Sequence, residues 1–430
     1  MLNKRFRFFK VLASAALLAM AISPMAIQAQ DSTTIVIESW RNDDLTIWRD
    51  VIIPAFNAQY PNIQVEFSPS PPADYNALLN SKLEAGTAGD IITCRPFDAS
   101  LSLYDQGYLA SLNELPGIEN FSDVAKSAWI TDDGSNVFCV PMAAVIHGFY
   151  YNADAFAELG LEEPTTVSEF YAVLDAIAAD GTYAPLVMGT ADQWESATVG
   201  FQNIGPNYWM GEEGRTGLLD GTAKYNEGGF LAAFEELARW SPYLIDGHES
   251  IKYPDAQSAF TLGLGAIYPG GSWEISGFEA NSDFEIGVFK PPTPDGQETC
   301  YISDHTDIGI GMNAAVSDEK RAAAETFLAW VASAEFAALY GNSLPGFYSL
   351  ADVEVTLDNA LAQEIVGWRG ECESTIRSSY QILSRSSEFN NENDLWSANA
   401  RMLNGELSPV EAANFTQENL AKWYEPQMAN

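Results

Sequence analysis

The sequence predicts an α/β protein built on a largely parallel sheet with crossover helices. Three observations carry that expectation. The first hundred residues alternate strand-like and helix-like runs in the order β-α-β-α-β. Strand and helix signals keep recurring further along. With 430 residues, 47% of them apolar, there is ample chain to bury a core of two or three domains.

Residues 35–38 form a short apolar-rich run followed by Ser39-Trp40-Arg41-Asn42. From 43 to 60, Leu45, Trp48, Ile52, Phe56 and Tyr60 fall at helical spacing, with Pro54 as a defect and Pro61 as a stop. Residues 62–67 alternate as a second strand, 74–85 read as a helix closed by Gly86, and 90–93 as a third strand. Residues 136–142 and 148–152 are two further strand-like runs. Thr166-Val167-Ser168-Glu169 is a capping box opening a helix over 167–179, which Gly181 closes. Strands are expected at 186–188, 265–268 and 285–289, amphipathic helices at 229–240 and 318–340, and mostly helix from Asn359 onward. There is no internal repeat and no low-complexity linker.

Lys and Arg number 21 against 59 Asp and Glu, a formal charge of −38. That balance argues against nucleic acid, whose phosphates need basic patches, and against docking on an anionic membrane. Lys4, Arg5, Arg7 and Lys10 precede an apolar run over 11–27 and a small residue, Ala29. This is the plan of a signal peptide over 1–29; a membrane anchor is disfavoured by the short core and by Pro24. No cysteine sits near the cut, so no lipid anchor is expected, and the product belongs in the periplasm or outside the cell. Export permits disulfides. Cys94, Cys139, Cys300 and Cys372 allow three pairings; Cys94–Cys139 is preferred because both lie on apolar runs, leaving Cys300–Cys372.

Chemical motifs are sparse. The three histidines, His147, His248 and His305, make a clustered metal site or a histidine-based proton relay improbable, and no G-x-S-x-G elbow occurs. Gly309-Ile310-Gly311-Met312-Asn313-Ala314 matches a loose dinucleotide fingerprint, but no acid follows at the right distance, and a glycine-bearing strand is the preferred reading. Asp304-His305-Thr306-Asp307 has three readings: a glycosidase carboxylate pair, acceptors for a polyol, or a solvated turn. Trp40, Trp194 and Trp273 each follow a strand. In open α/β sheets ligands gather at the carboxyl ends of strands, where an indole offers a flat apolar face to the C–H surface of a sugar.

Several segments then occur in one order: Ile37-Glu38-Ser39-Trp40, Pro54 to Val65, Gly89-Asp90-Ile91-Ile92, Cys139-Val140-Pro141 with Phe149 to Asn152, Glu163-Pro164 to Phe170, Gly265 to Trp273 with its Gly270-Gly271-Ser272 turn, and Ala324 to Trp330. Together with the signal peptide they resemble the extracellular solute-binding proteins (family 1) of ABC sugar importers, the maltose-binding-protein-like group. The resemblance implies a two-lobe periplasmic-binding-protein-like fold of type II, with mixed sheets flanked by helices and a hinge of crossing strands. It implies one lobe from 30–147 plus 285–340 and a second from 148–284 plus 341–430. It implies a monomer that takes a carbohydrate ligand and docks on the membrane permease subunits; no cofactor is expected and no metal ligands are singled out, with metal dependence left open. Carried over position by position, Trp273 takes the sugar-stacking place and Trp194 that of a cleft aromatic. Trp40 and Arg41 occupy the loop after the first strand, Arg95 and Asp98 the loop after Gly-Asp-Ile-Ile, and His147 the crossing. Asp304, His305 and Asp307 lie on the returning crossing. Val145 replaces an acid and Cys94 an aromatic found in maltose binders, which puts maltose itself in doubt. The alternatives are an exported glycoside hydrolase using paired carboxylates, or the same receptor fold with a non-sugar solute such as a glycerophosphodiester or peptide.

Overall fold

The computed structural model describes residues 32–385 and 390–428; the expected signal peptide lies outside the described residues. Ten strands follow the chain: β1 (Thr33–Ser39), β2 (Ile63–Pro69), β3 (Ile91–Cys94), β4 (Val140–Asn152), β5 (Ala184–Leu186), β6 (Gly265–Gly271), β7 (Ile286–Phe289), β8 (Tyr301–Met312), β9 (Tyr348–Ser349) and β10 (Glu373–Thr375). The main path runs β2-β1-β3-β8-β4-β6-β5. At one end β1 pairs in parallel with β2 and β3, as the β-α-β-α-β reading requires. At the other, β5 pairs in parallel with β6. The long strands β8 and β4 run antiparallel between the two groups.

β4 joins what the sequence reads as two strands. Pro141 sits where the β4–β8 register shifts, a place where the ladder tolerates a residue without N–H. β4 pairs with β8 as far as Ile146 and with β6 from His147, so His147 marks the change of partner. β8 escaped the sequence reading as a whole strand because Asp304, His305 and Asp307 interrupt its apolar pattern. Its placement also removes the solvated-turn reading of Asp304–Asp307. Gly309 and Gly311 lie on it for packing reasons: a Cβ would meet Trp129 at 2.6 Å or Cys139 Sγ at 2.8 Å. The loose dinucleotide fingerprint is therefore a strand pressed against an indole and a disulfide.

Pro54 explains the helix over 43–60. A wide π-helical turn, Trp48–Ile52, precedes the α-helix Ile53–Gln59, and Ile53 N–H donates to Trp48 O. Opening the turn just before Pro54 gives its ring room and spares the bond it cannot make. The helix expected over 318–340 is broken into Asp318–Val331 and Ala334–Ser343, bent by 71°. Ser333 causes the second start, accepting from Phe336 N–H at 3.2 Å as an N-cap. Among the described residues no single helix is long and apolar enough to cross a membrane. The capping box of helix Val167–Asp180 forms in full. Both disulfides pair as preferred, Cys94–Cys139 and Cys300–Cys372. They close loops of 45 and 72 residues, each contributing about 4 kcal/mol on a chain-entropy estimate.

Candidate functional site

The carboxyl ends of the parallel strands open onto one cleft of about 530 Å³. Trp40 and Arg41 follow β1, Pro72 follows β2, Arg95 follows β3, and Trp273 follows β6. Asp307 enters from the middle of β8 and Arg377 from just beyond β10. Trp194, Thr198, Tyr253 and Trp396 complete the lining from helical segments. An aromatic-lined recess with a few charged groups is the usual build of a small-ligand site.

One wall is held by charge. Arg41 grips Asp44 with two bonds, Nε to Oδ2 at 2.6 Å and Nη2 to Oδ1 at 2.8 Å, both residues being buried. Burial alone would lower the guanidinium's pKa, but Asp44 carries it well above the ordinary value. The Arg95 guanidinium lies 4.5 Å over the Trp40 ring. Arg95 donates to Asn76 Oδ1 at 2.9 Å and to Pro72 O at 3.1 Å. It makes no ion pair among the described residues, and burial lowers its pKa.

The opposite wall is aromatic. Trp273 lies flat against its own turn: a Cβ on Gly271 would stand 1.9 Å from the indole, so only glycine fits beneath it. The indole Nε1 donates to Glu274 Oε1 at 3.0 Å. Trp194 meets Tyr253 edge-on at 4.8 Å. Behind Trp273 stands His147, edge-on at 5.3 Å, and behind that His305 at 5.0 Å. His147 is fully buried, neither ring nitrogen finds a partner, and burial holds it neutral. His305 is pushed down to about 4, first by burial and then by Arg377. At neutral pH its 3.8 Å approach to Asp307 is therefore not an ion pair.

Of the ten residues singled out from sequence, six line the cleft: Trp40, Arg41, Arg95, Trp194, Trp273 and Asp307. His147 and His305 stand one layer behind. Asp98 does not reach it: its carboxylate takes Arg385 Nε at 3.1 Å and Ser384 N–H at 3.2 Å. Burial pushes Asp98 up to about 6 despite Arg385. It borders an adjoining recess of about 600 Å³, which shares Arg95, Asp307, Arg377 and Trp396 with the cleft. Asp304 faces elsewhere, bound by Arg369 through two bonds of 2.8 Å and by Ser374 Oγ at 2.8 Å. Asp304 stands opposite Ile146 on β4, whereas Asp307 falls in the β4–β8 register shift and turns to the side of His305 and Arg377.

Tyr253, Arg377 and Trp396 were missed. Arg377 pairs with Glu392 at 3.3 Å, nears Asp307 at 3.8 Å, and keeps a buried Nε without a partner. No local pattern marks Arg377 or Tyr253. Trp396 had the one available signal, an indole on a helix with polar neighbours, but helical spacing reads it as core.

A family model described as bacterial extracellular solute-binding protein matches residues 52–362. The chain is 27% identical over 262 residues to an uncharacterized ABC transporter extracellular-binding protein of Pyrococcus horikoshii, with 60% of each chain covered. It is 22% identical over 253 residues to a multiple sugar-binding protein of Streptococcus mutans, covering 56% of this chain and 58% of that one. The chain thus spans about 60% of the length of the curated relatives it matches. A solved chitin oligosaccharide binding protein has a TM-score of 0.77 at 19% identity, covering 93% of this chain and 100% of its own. That likeness shows the fold: two α/β lobes with strands crossing between them.

Proposed function

The chain belongs to the bacterial extracellular solute-binding proteins, and from that premise we propose that it is a non-catalytic receptor for a carbohydrate, which it presents to the permease of an ABC importer. The observation that carries this reading is the convergence of Trp40, Trp194, Trp273 and Trp396 on one cleft with Asp307 and three guanidinium groups. Indole faces suit the C–H surface of a pyranose, while Asp307, Arg41, Arg95 and Arg377 suit its hydroxyls. The names of the Streptococcus mutans relative and of the chitin oligosaccharide binding protein point the same way. A hydrolase would need a second carboxylate facing Asp307, and Asp304 is committed to Arg369.

Delivery follows from the hinge. We assign 30–147 and 285–340 to one lobe, and 148–284 and 341–430 to the other. β9 pairs with Ala143 and Ala144, which favours extending the first lobe's return as far as residue 351. Sugar contacts from both lobes favour the closed form by population shift. The receptor works as a monomer, secreted to the periplasm or cell exterior, without cofactor or metal.

Calorimetry against mono- and oligosaccharides tests the reading, with the sugar recovered intact afterwards. Release of a reducing end from any glycoside would overturn the non-catalytic part. Among the described residues Arg95 is the one lining guanidinium without an acidic partner, so the panel includes a uronic acid oligomer. Preference for it over neutral sugars, lost in Arg95→Gln, would narrow the ligand to an acidic carbohydrate.

A further inference from the structure

One buried carboxyl group holds the aromatic wall from behind. Glu274 directly follows Trp273 and is 1% exposed. Its Oε1 accepts from the Trp273 indole N–H at 3.0 Å and from the Tyr253 hydroxyl at 2.9 Å. Its Oε2 accepts from the Gln257 amide at 2.8 Å. The Gln257 side chain also faces Asp43, in the loop after β1 that carries Trp40 and Arg41, and pulls its carboxyl down against the burial that raises it. Two of the three donors thus belong to residues lining the cleft, and the third leads to the opposite wall.

We propose that Glu274 is a positioning residue for the ligand, fixing the Trp273 and Tyr253 rings and, with Gln257, bracing the wall that faces Asp43. The inference rests on the carbohydrate reading for its ligand, though not for its hydrogen bonds. Here the donors are the ring systems that a ligand would touch.

The charge on Glu274 decides how well this works. As a carboxylate it satisfies all three donors. Once protonated, one oxygen becomes a donor, and at least one of the three groups loses its acceptor. Burial pushes Glu274 up to about 7, and the charge of Asp43 adds to that, while Gln257, Tyr253 and Arg41 pull it down. The other groups facing it are Glu195 at the start of the π-helical segment Ser196–Phe201, Tyr268 on β6 and Tyr150 on β4. Burial raises Glu195 well above the ordinary range, and raises all three tyrosines, Tyr253 included, so the tyrosines stay uncharged around neutrality. Asp43, itself raised by burial, and Arg41 supply the remaining charges. The hydrogen-bond geometry therefore changes with the protonation of a single group.

The test reads the indole before any ligand is added. Indole N–H resonances are recorded by NMR from pH 5.5 to 8.5, with Trp273 assigned through Trp273→Phe. A Trp273 resonance that titrates once near pH 7, and stays still in Glu274→Gln, is the expected result. A resonance that does not move, or moves equally in Glu274→Gln, overturns the inference. Tyr253→Phe serves if Glu274→Gln does not fold: losing a donor to the carboxylate must shift the midpoint upward, and an unchanged midpoint overturns the inference. Calorimetry then uses raffinose, chitin oligosaccharides and a uronic acid oligomer as probes. Affinity for a bound sugar falls about threefold to tenfold from pH 8 to pH 5.5, the scale of one hydrogen bond, and stays flat in Glu274→Gln. A pH-independent affinity in the wild type overturns the positioning role. A titrating indole with no sugar bound overturns the carbohydrate reading and leaves the network standing.

Discussion

On one wall of the cleft Arg41 is locked to Asp44 by two short bonds, and Arg95 lies over Trp40. On the other, Trp273 and Tyr253 share a single carboxyl group, Glu274, and Trp194 leans on Tyr253. The first wall depends on guanidinium groups that keep their charge at any ordinary pH. The second depends on a group that titrates near neutrality. The face of Trp40 is already occupied by a cation, whereas Trp273 is backed by glycine and imidazole and lines the cleft. On the reading proposed above, the difference would place anchoring on the β1 side and ligand stacking on the β6 side.

Removing the anchor gives the largest expected effect. Arg41→Ala leaves Asp44 buried without its cation, which costs about 3–5 kcal/mol of folding stability. Chemical denaturation measures it; a loss below about 1 kcal/mol would break the claim that charge holds this wall. Next comes the pH dependence of the other wall. Glu274 has an ordinary value of 4.5 and sits at about 7 when folded. The folded state holds its proton more tightly, so its contribution is complete below 4.5 and is lost as pH rises through about 7. The loss is at most about 3 kcal/mol. His305 runs the other way: it is depressed from 6.5 to about 4, so its contribution is present above 6.5 and fades as pH falls towards 4. The difference between wild type and Glu274→Gln therefore isolates the carboxyl group. Its stability difference narrows with rising pH; a constant difference from pH 5 to 8 would remove Glu274 as the titrating element. Third, Trp273→Ala weakens sugar binding by about tenfold to a hundredfold, roughly 1.4–2.8 kcal/mol. Trp40→Ala weakens it by about fivefold or less. Calorimetry on both variants would reverse the assignment of the walls if Trp40→Ala had the larger effect.

The strand-end rule explains why Trp40, Arg41, Arg95 and Trp273 were legible. Each lies within two residues of a strand's carboxyl end, and such ends face one side of a parallel sheet. Arg377 stands two residues past β10, a three-residue strand that the sequence reading did not register, while Tyr253 and Trp396 lie on helices. Trp396 reaches the cleft because helix Asn391–Leu403 packs on the segment Ser196–Phe201, a contact between residues nearly two hundred positions apart in sequence. The same limit concealed β4 and β8. A crossing strand is stabilised by different partners along its length, so residues 143–147 and the polar group at Asp304–Asp307 read as interruptions. The break at Ser333 was legible in principle, since a serine followed by Glu335 marks a helix start. The apolar periodicity on either side of it hid the signal.

Asp304 and Asp307 give the smallest effects and the sharpest contrast, because they share a strand. Asp304 has its oxygens filled by Arg369 and Ser374. Asp307 lines the cleft, with its carboxylate near Arg377 and His305 at 3.8 Å each, distances that leave lone pairs for a ligand hydroxyl. Burial alone would raise Asp307, but the nearby His305 ring and the charge of Arg377 hold it below the ordinary value, so it is an acceptor throughout the neutral range. Asp307→Asn replaces one acceptor oxygen with a donor and weakens binding by about threefold to tenfold. Asp304→Asn costs about 1 kcal/mol of stability through a partly exposed pair and leaves affinity within about twofold. Calorimetry and thermal unfolding separate the two. If Asp304→Asn were the variant that lost affinity, the register shift at Asp307 would not govern which face of β8 meets the ligand, and the aromatic wall would have to be sought on the other side of the sheet.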